Sequence, residues 1–280
     1  MKRNRLKILG VIGDPISHSL SPIMHNAGLA ALKLPYIYMP FRVTLEELPE
    51  FFSTLKKRGI YGLNVTIPHK QNVIPFLDSL SREARLMGAV NTILGQGKKL
   101  VGANTDGEGF ISSLQQEADY EVKGKQVILL GAGGAARALG VALGINHARE
   151  VVILNRTAKN AFDLAVELDK KFKNTLFAAG PLHPIDPSHW NQADLLINAT
   201  SLESRLSLPL NKLSSKAMVC DIVYTPLETP LLKKAKKIGL KIHPGWGMLL
   251  HQGMLSFELW TGKKAPYEVM KKALLEALSK

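Results

Sequence analysis

The stretch GLNVTIPHK, Gly62 to Lys70, carries an amide, a hydroxyl and an ammonium to the end of one apolar run. Leu63, Val65 and Ile67 alternate there with Asn64, Thr66 and Pro68, the period of a half-buried strand, and the pattern breaks at His69 and Lys70. A second phrase, GANTDG, brings Asp106 past the end of another short apolar run. A lysine supported by a carboxylate can deliver the proton that a ketone oxygen needs when the carbon receives a hydride. A free lysine, near 10.4, is a poor acid–base at neutral pH. Desolvation lowers that value and a neighbouring aspartate raises it, and the sequence leaves the balance open. Each residue also has a plainer reading: Lys70 as a surface lysine, Asp106 as a helix N-cap before Gly107. They converge if the sheet between their strands is parallel.

Ser17, Ser19 and Ser21 in SHSLSP precede a helical pattern. Hydroxyls and free N–H groups at a helix N-terminus can hold a carboxylate. Capping alone accounts for Ser21, with Pro22 at the first helical position. His18 reads as a solvent-facing spacer. His25 is a further titratable candidate, and His69, on the opposite side of an extended chain from Lys70, is expected to stay out of the chemistry.

In VILLGAGGAARALG, Gly131, Gly133 and Ala136 form G-x-G-x-x-A between a strand and a helix. The glycines let the backbone approach a pyrophosphate, and the helix N-terminus adds N–H groups and partial positive charge. Tight strand–helix turns use glycine without any ligand, so the strand–turn–helix context is what gives the pattern weight. The next strand ends in Asn155–Arg156–Thr157, with no acid to accept from ribose hydroxyls. An arginine and a hydroxyl suit a 2′-phosphate, so NADP(H) is the expected cofactor; alone, Arg156 would be a surface arginine after a strand.

These phrases are positioned by alternating strands and helices. Lys7–Gly13, YIYMPFRV and the run through Val65 read as strands. Helices are expected over SPIMHNAGLAALKL, over LEELPEFFSTLKKRG with Gly59 closing it, and over roughly Val73 to Met87. AVNTILGQGKKLVGANTDG reads as two strands joined at GQG. A mostly parallel sheet with covered faces follows for this α/β first third. From Gly124, the runs KQVILL, EVVILN, TLFAAG, ADLLINAT, AMVCDIVY and LKIHPG describe a doubly wound α/β domain. DGEGFISSLQQEADYEVKG is the expected inter-domain connection, and the helical C-terminus is expected to return to the first domain.

The 280 residues suffice for two domains, and 46% apolar composition with mean hydropathy +0.03 fits a soluble globular chain. One cysteine, Cys220, excludes an internal disulfide and fits a reducing cytoplasm. No apolar run is long enough to span a membrane, and MKRNRLKILGVIG meets GDP too soon for a signal peptide, so it reads as the first strand. The net charge of +13 raises nucleic acid as a partner, but aromatics are 6% and no nucleic-acid module is present. The lysine clusters read as solvated helix faces whose field would gather small anions. Neither a metal nor a membrane partner is expected.

Taken in order, SHSLSP, NVTIPHK, GAVNT, GANTDG, GAGGAARA, NRT, INATS, DIVYTPLETP and GMLLHQG resemble the shikimate dehydrogenase family over about residues 8 to 257. The resemblance implies NADPH-dependent reduction of 3-dehydroshikimate to shikimate, in chorismate and aromatic amino-acid biosynthesis. The chain is expected to be cytoplasmic and to act on a small molecule as a monomer or homodimer. The resemblance also implies a substrate-binding and catalytic domain over residues 1–108, completed by 250–280, and a Rossmann-like NADP domain over 109–249. Carried over by position, it puts the substrate carboxylate on Ser17 and Ser19 with Tyr224 nearby, and the ring hydroxyls on Thr66, Asn91, Asp106 and Gln252. Lys70 would transfer the proton, paired with Asp106; Asn64 would brace the strand end and Pro68 stop the strand. Gly131, Ala132, Gly133, Gly134 and Ala135 would line the pyrophosphate, and Asn155, Arg156 and Thr157 the adenosine phosphate. Ala199, Thr200, Ile222 and Gly245 would lie along the cofactor.

The chain departs from the family pattern in three places. Asn160 stands where a second basic residue is frequent, with Lys159 adjacent as a substitute. Arg82 stands where an acid often contacts the nicotinamide end, and LESRL follows INATS, marking 202–208 as an altered loop. A quinate/shikimate dehydrogenase with relaxed cofactor use is the nearest alternative, which an acid at NRT would favour. A nucleotide-binding sensor without turnover is the alternative of another class, and loss of the lysine–aspartate pair would favour it.

Overall fold

The computed structural model describes residues 6–55, 57–97, 99–183, 189–200 and 208–279, so the altered loop, apart from Leu208, lies outside the described residues. The chain divides into two compact units, residues 1–105 with 250–280, and residues 106–249.

In the first unit, β1 (Lys7–Gly13) is flanked in parallel by β2 (Tyr36–Arg42) and β3 (Ile60–Val65). The short β4 (Ser79–Leu80) pairs in parallel with β6 (Lys99–Ala103), and β5 (Thr92–Gln96) runs antiparallel to both β3 and β6. The order is β2-β1-β3-β5-β6-β4. The sheet is mostly parallel, with β5 alone running against its neighbours. Because β5 opposes both neighbours, β3 and β6 still run in one direction and end at the same edge.

Alternation along β3 separates two faces. Leu63 and Val65 join a core with Phe51 and Phe52 of α2 (Leu48–Thr54) and Ala84 of α3 (Arg82–Met87). Gly62 and Asn64 point the other way, where a Cβ on Gly62 would run into the Trp260 ring of α8 (Trp246–Thr261). α1 (Ser21–Ala31) and α9 (Tyr267–Leu278) pack together in this unit.

Several local expectations are corrected. The helix expected up to Gly59 shortens to α2, which starts with Pro49 in its first turn, while Gly59 at φ +72° turns the chain towards β3. The helix expected from Val73 to Met87 is a 3-10 turn at Ile74–Phe76, then β4, then α3, whose N-cap Ser81 accepts from the Ala84 N–H at 3.1 Å. Ser21 does not cap α1: Leu20 holds that position, and Ser19 Oγ accepts from the Ser21 N–H at 3.4 Å. Ile67, expected inward with Leu63 and Val65, is 73% exposed, because β3 ends at Val65 and the chain turns, the Thr66 carbonyl accepting from the His69 N–H at 2.9 Å.

The second unit begins with α4 (Asp106–Ala118), the segment expected as a connection, which packs against α5 (Gly134–Ile145). Its sheet is wholly parallel. β7 (Gln126–Leu130), β8 (Glu150–Asn155), β9 (Leu176–Pro181), β10 (Leu195–Asn198), β11 (Met218–Asp221) and β12 (Lys241–Pro244) lie in the order β12-β11-β10-β7-β8-β9. This is the doubly wound arrangement, with its switch between β7 and β10. Residues 128 to 130, 152 to 154 and 195 to 197 are buried throughout, as strands covered on both sides require. Between β8 and β9 lies α6 (Ala158–Lys171), and between β11 and β12 lies α7 (Pro230–Lys237). No helix of the described residues is long and apolar enough to cross a membrane.

Two histidines considered for chemistry serve packing. His69 is fully buried and its Nε2–H donates to the Val43 carbonyl at 2.6 Å. His25 is fully buried, stacked 4.3 Å from the Tyr38 ring and 5.5 Å from Trp260, with no hydrogen-bond partner for either ring nitrogen among the described residues. Burial pushes its pKa from 6.5 down to about 3. Below pH 6.5 the unfolded chain takes up a proton that folded His25 refuses, so stability falls as pH drops from 6.5 towards 3. The loss is about 2 kcal/mol at pH 5. Urea unfolding at pH 7 and pH 5 measures it, and His25→Phe is expected to reduce the difference by that amount.

Candidate active site

The end of β3 is held by its neighbours. The Thr66 N–H donates to the Ile12 carbonyl at 2.9 Å, and the Asp14 N–H to the Ile67 carbonyl at 3.1 Å. A Cβ on Gly13 would stand 2.5 Å from Thr66 Cγ2, so the glycine of GDP is needed for Thr66 to occupy its place. The same contact ties the start of the SHSLSP loop to the end of β3. Ser17 and His18 on that loop are exposed and Ser19 is half-buried. Lys70 is half-buried, and its carbonyl accepts from the Val90 N–H at 2.7 Å, one residue before Asn91.

Beside this strand end lies a buried polar network. Asn64 Oδ1 accepts from the Tyr38 hydroxyl at 2.7 Å. Its Nδ2 faces the Asn91 carbonyl at 3.1 Å, Thr92 Oγ1 at 3.2 Å and Ser256 Oγ at 3.0 Å. Asn91, 2% exposed, accepts at Oδ1 from the Thr105 N–H at 2.8 Å and the Thr92 hydroxyl at 2.9 Å. Its Nδ2 donates to Thr105 Oγ1 at 2.9 Å and approaches Gln252 Oε1 at 3.4 Å. Asn91 and Gln252, both expected at substrate, are thus brought together. Thr105 is followed directly by Asp106, which is buried as the first residue of α4. Lys70 and Asp106 therefore follow strands that end at one edge, with Asn91 fixed to the chain beside each.

The second unit builds its candidate site from backbone. Gly131 has φ +110°, and a Cβ there would lie 3.0 Å from the Ala199 carbonyl and 3.1 Å from Thr200 Cγ2. Gly133 and Gly134 differ: neither has a positive φ, and among the described residues a Cβ on either would meet nothing within 4 Å. Protein packing does not demand glycine at these two positions, whereas a pyrophosphate drawn close to the backbone would. Gly133 is also the N-cap of α5 with no side chain to satisfy the first N–H groups. Ala132 and Ala135 are half-buried beside it, and Ala136 is fully buried against the sheet. The turn therefore fits a dinucleotide phosphate.

At the end of β8, Asn155 Nδ2 donates to the Thr157 carbonyl at 3.0 Å, and Arg156 and Thr157 are exposed. Thr157 is the N-cap of α6 with its own side chain making no cap bond. Lys159, the adjacent base, forms an exposed ion pair with Asp163 at 2.6 Å, and Arg82 is exposed at the start of α3. A Cβ on Gly245 would run into the Ile222 carbonyl, so the ends of β11 and β12 meet there in backbone contact. Tyr224, half-buried, has its phenol pKa raised by burial and stays a neutral donor at ordinary pH.

Thr92, Thr105, Ser256 and Gly13 were not singled out from sequence. The repeated Asn–Thr of GAVNT and GANTDG was a signal for the first two, whereas Ser256 is one small residue on an apolar helix and gave none. Gly133→Ala is expected to change stability by less than about 1 kcal/mol in urea unfolding while weakening NADPH binding about tenfold or more in a fluorescence titration. Unchanged affinity would remove this turn from the cofactor site.

Three family models match the chain in sequence order. A shikimate dehydrogenase substrate binding domain matches residues 11–93, a shikimate/quinate 5-dehydrogenase domain 113–222, and a shikimate 5′-dehydrogenase C-terminal domain 245–275. A shikimate dehydrogenase (NADP+) from Geobacter metallireducens is 43% identical, over 99% of this chain and 98% of its own length. The crystal structure of a shikimate dehydrogenase in complex with NADP+ superposes with TM-score 0.89 at 39% identity, covering 98% of this chain and 96% of that one. That of a shikimate 5-dehydrogenase from Thermus thermophilus, in complex with NADP(H) and shikimate, gives TM-score 0.86 at 37% identity over 97% and 100% of the two chains. With identity at this level over its whole length, and with the amide–hydroxyl network and the dinucleotide turn both present, the chain belongs to the shikimate dehydrogenase family.

Proposed function

We propose that this chain is a cytoplasmic NADP-dependent shikimate dehydrogenase, a monomer or homodimer that interconverts 3-dehydroshikimate and shikimate on the route to chorismate. The observation that carries the reading is the common direction of β3 and β6, which sends Lys70 and Asp106 past one sheet edge where the Asn91 and Gln252 amides meet.

Reduction of the ketone needs a hydride at carbon and a proton at oxygen, and NADPH supplies the hydride when bound. Lys70 gives its Nζ proton to the developing alkoxide oxygen, and in the reverse direction the neutral amine takes it back. Asp106 supports the charge on Lys70 and accepts from a ring hydroxyl. Thr66, Asn91 and Gln252 orient the remaining ring hydroxyls, which fixes the face presented for reaction. Ser17 and Ser19, with the neutral Tyr224 phenol, hold the substrate carboxylate. On the second unit, residues Gly131 to Ala135 hold the pyrophosphate, Asn155, Arg156 and Thr157 the 2′-phosphate end, and Ala199, Thr200, Ile222 and Gly245 the remainder.

Initial rates for shikimate and quinate, each with NADP+ and NAD+, test the reading. Turnover concentrated on shikimate with NADP+ is expected. Comparable rates with NAD+ or quinate would make this the relaxed relative that Asn160 and the paired Lys159 point towards. No turnover in any combination would leave a nucleotide-binding protein without catalysis. Lys70→Ala is expected to lower kcat on the order of 10² to 10⁴-fold with NADPH affinity retained, and near-normal kcat would remove Lys70 from the proton transfer.

A further inference from the structure

At the C-terminal edge of the second sheet, the loops after β7, β10, β11 and β12 lie side by side and carry Gly131, Ala199 with Thr200, Ile222, and Gly245. A line of buried hydrogen bonds runs beneath them, and it starts from a carboxylate. Asp221, the last residue of β11, is 1% exposed. Its Oδ1 accepts from Asn198 Nδ2 at 3.0 Å and from the Val223 N–H at 3.1 Å, and its Oδ2 accepts from the Thr229 hydroxyl at 2.7 Å. Thr229 is fully buried and is the N-cap of α7, its oxygen accepting from the Leu232 N–H at 3.4 Å.

Polarity propagates along this line. Asp221 faces three donors, so its oxygens accept, and Asn198 turns Nδ2 towards it and Oδ1 away. Oδ1 then accepts from both the N–H of Thr200 at 3.1 Å and its hydroxyl at 2.7 Å. Thr200 in turn covers Gly131, where a Cβ would lie 3.1 Å from its methyl. On the other side, the Val223 N–H bond shapes the chain next to Ile222 and Tyr224, and the Ile222 carbonyl lies against Gly245. One carboxylate thus orders the loops of β10 and β11, and through their contacts meets those of β7 and β12.

We propose that Asp221 and Thr229 are positioning residues for NADP(H): from the buried N-terminus of α7 they set the orientation of Asn198 and so hold Thr200 and Ile222 in place for the cofactor. The inference rests on the reading of the Gly131–Ala135 turn as the NADP site.

Thr229→Val removes the hydroxyl at nearly constant shape, Thr229→Ser keeps it, and Asp221→Asn puts a donor where only acceptors now stand. NADPH affinity by fluorescence titration, KM for each substrate and melting temperature would be measured for all three. Thr229→Val and Asp221→Asn are expected to weaken NADPH binding and raise KM for NADP+ about tenfold, with KM for shikimate and kcat at saturation within about twofold. Thr229→Ser is expected to bind NADPH as the wild type does. If Asp221→Asn does not fold, the Thr229 pair decides. Thr229→Val binding NADPH normally, or Thr229→Ser failing together with Thr229→Val, overturns the inference, as does a lower melting temperature with unchanged KM. A wild type that does not bind NADPH overturns the cofactor reading itself and this inference with it.

Discussion

The backbone N–H of Thr105 can only donate, and the Asn91 side chain meets it at 2.8 Å. That one requirement turns Asn91 Oδ1 inward and its Nδ2 towards Gln252. The remaining members follow: Thr92 gives its proton to Asn91, while Asn64 takes that of Tyr38 and donates to the oxygens around it. Residues from β2, β3, β5, the loop after β6 and α8 are thereby joined in one buried constellation. In a low-dielectric interior each lost partner costs about 1–3 kcal/mol, so the network admits few arrangements. It also fixes which atoms of Asn91 and Gln252 face each other at the strand ends that lead to Lys70 and Asp106.

The second unit answers a different physical demand. A pyrophosphate is best met by backbone N–H groups at a helix N-terminus, so this unit removes side chains instead of arranging them. Gly133 and Gly134 leave open space, whereas Gly131 and Gly245 permit backbone from adjacent loops to pack closely. Order beneath those bare loops then has to come from polar side chains below, and Asn198, Asp221 and Thr229 provide it. In the proposed reading, the first unit would meet its ligand with oriented amides and hydroxyls, and the second with oriented peptide groups.

Aromatic packing separates chemistry from structure among the histidines. His25 lies flat against Tyr38 with its pKa pushed to about 3, and the buried His69 ring is engaged by the Val43 carbonyl, so both serve packing. The proposed reaction assigns proton transfer to Lys70 instead.

The doubly wound unit could be read directly from the chain, because short, wholly apolar runs bounded by turns and joined by helices have few other ways to bury themselves. The strand–turn–helix context of G-x-G-x-x-A was equally plain, since the pattern reports a local backbone requirement that neighbouring residues alone express. The direction of β5 was less accessible: a hairpin at GQG implies reversal, but its consequence for β3 and β6 depends on which strands pair across the sheet. The breaks at Pro75 and Ser81 were visible residues whose effect was outweighed in reading by the helical spacing around them. Ser256 could not be recognised at all. Its hydroxyl matters because α8 lays it against Asn64 and Thr92, more than 160 residues earlier in the chain. Periodicity and propensity act over one turn of chain and are written locally; hydrogen-bond partners are chosen by proximity after folding, so their pairing exists only once distant segments have met.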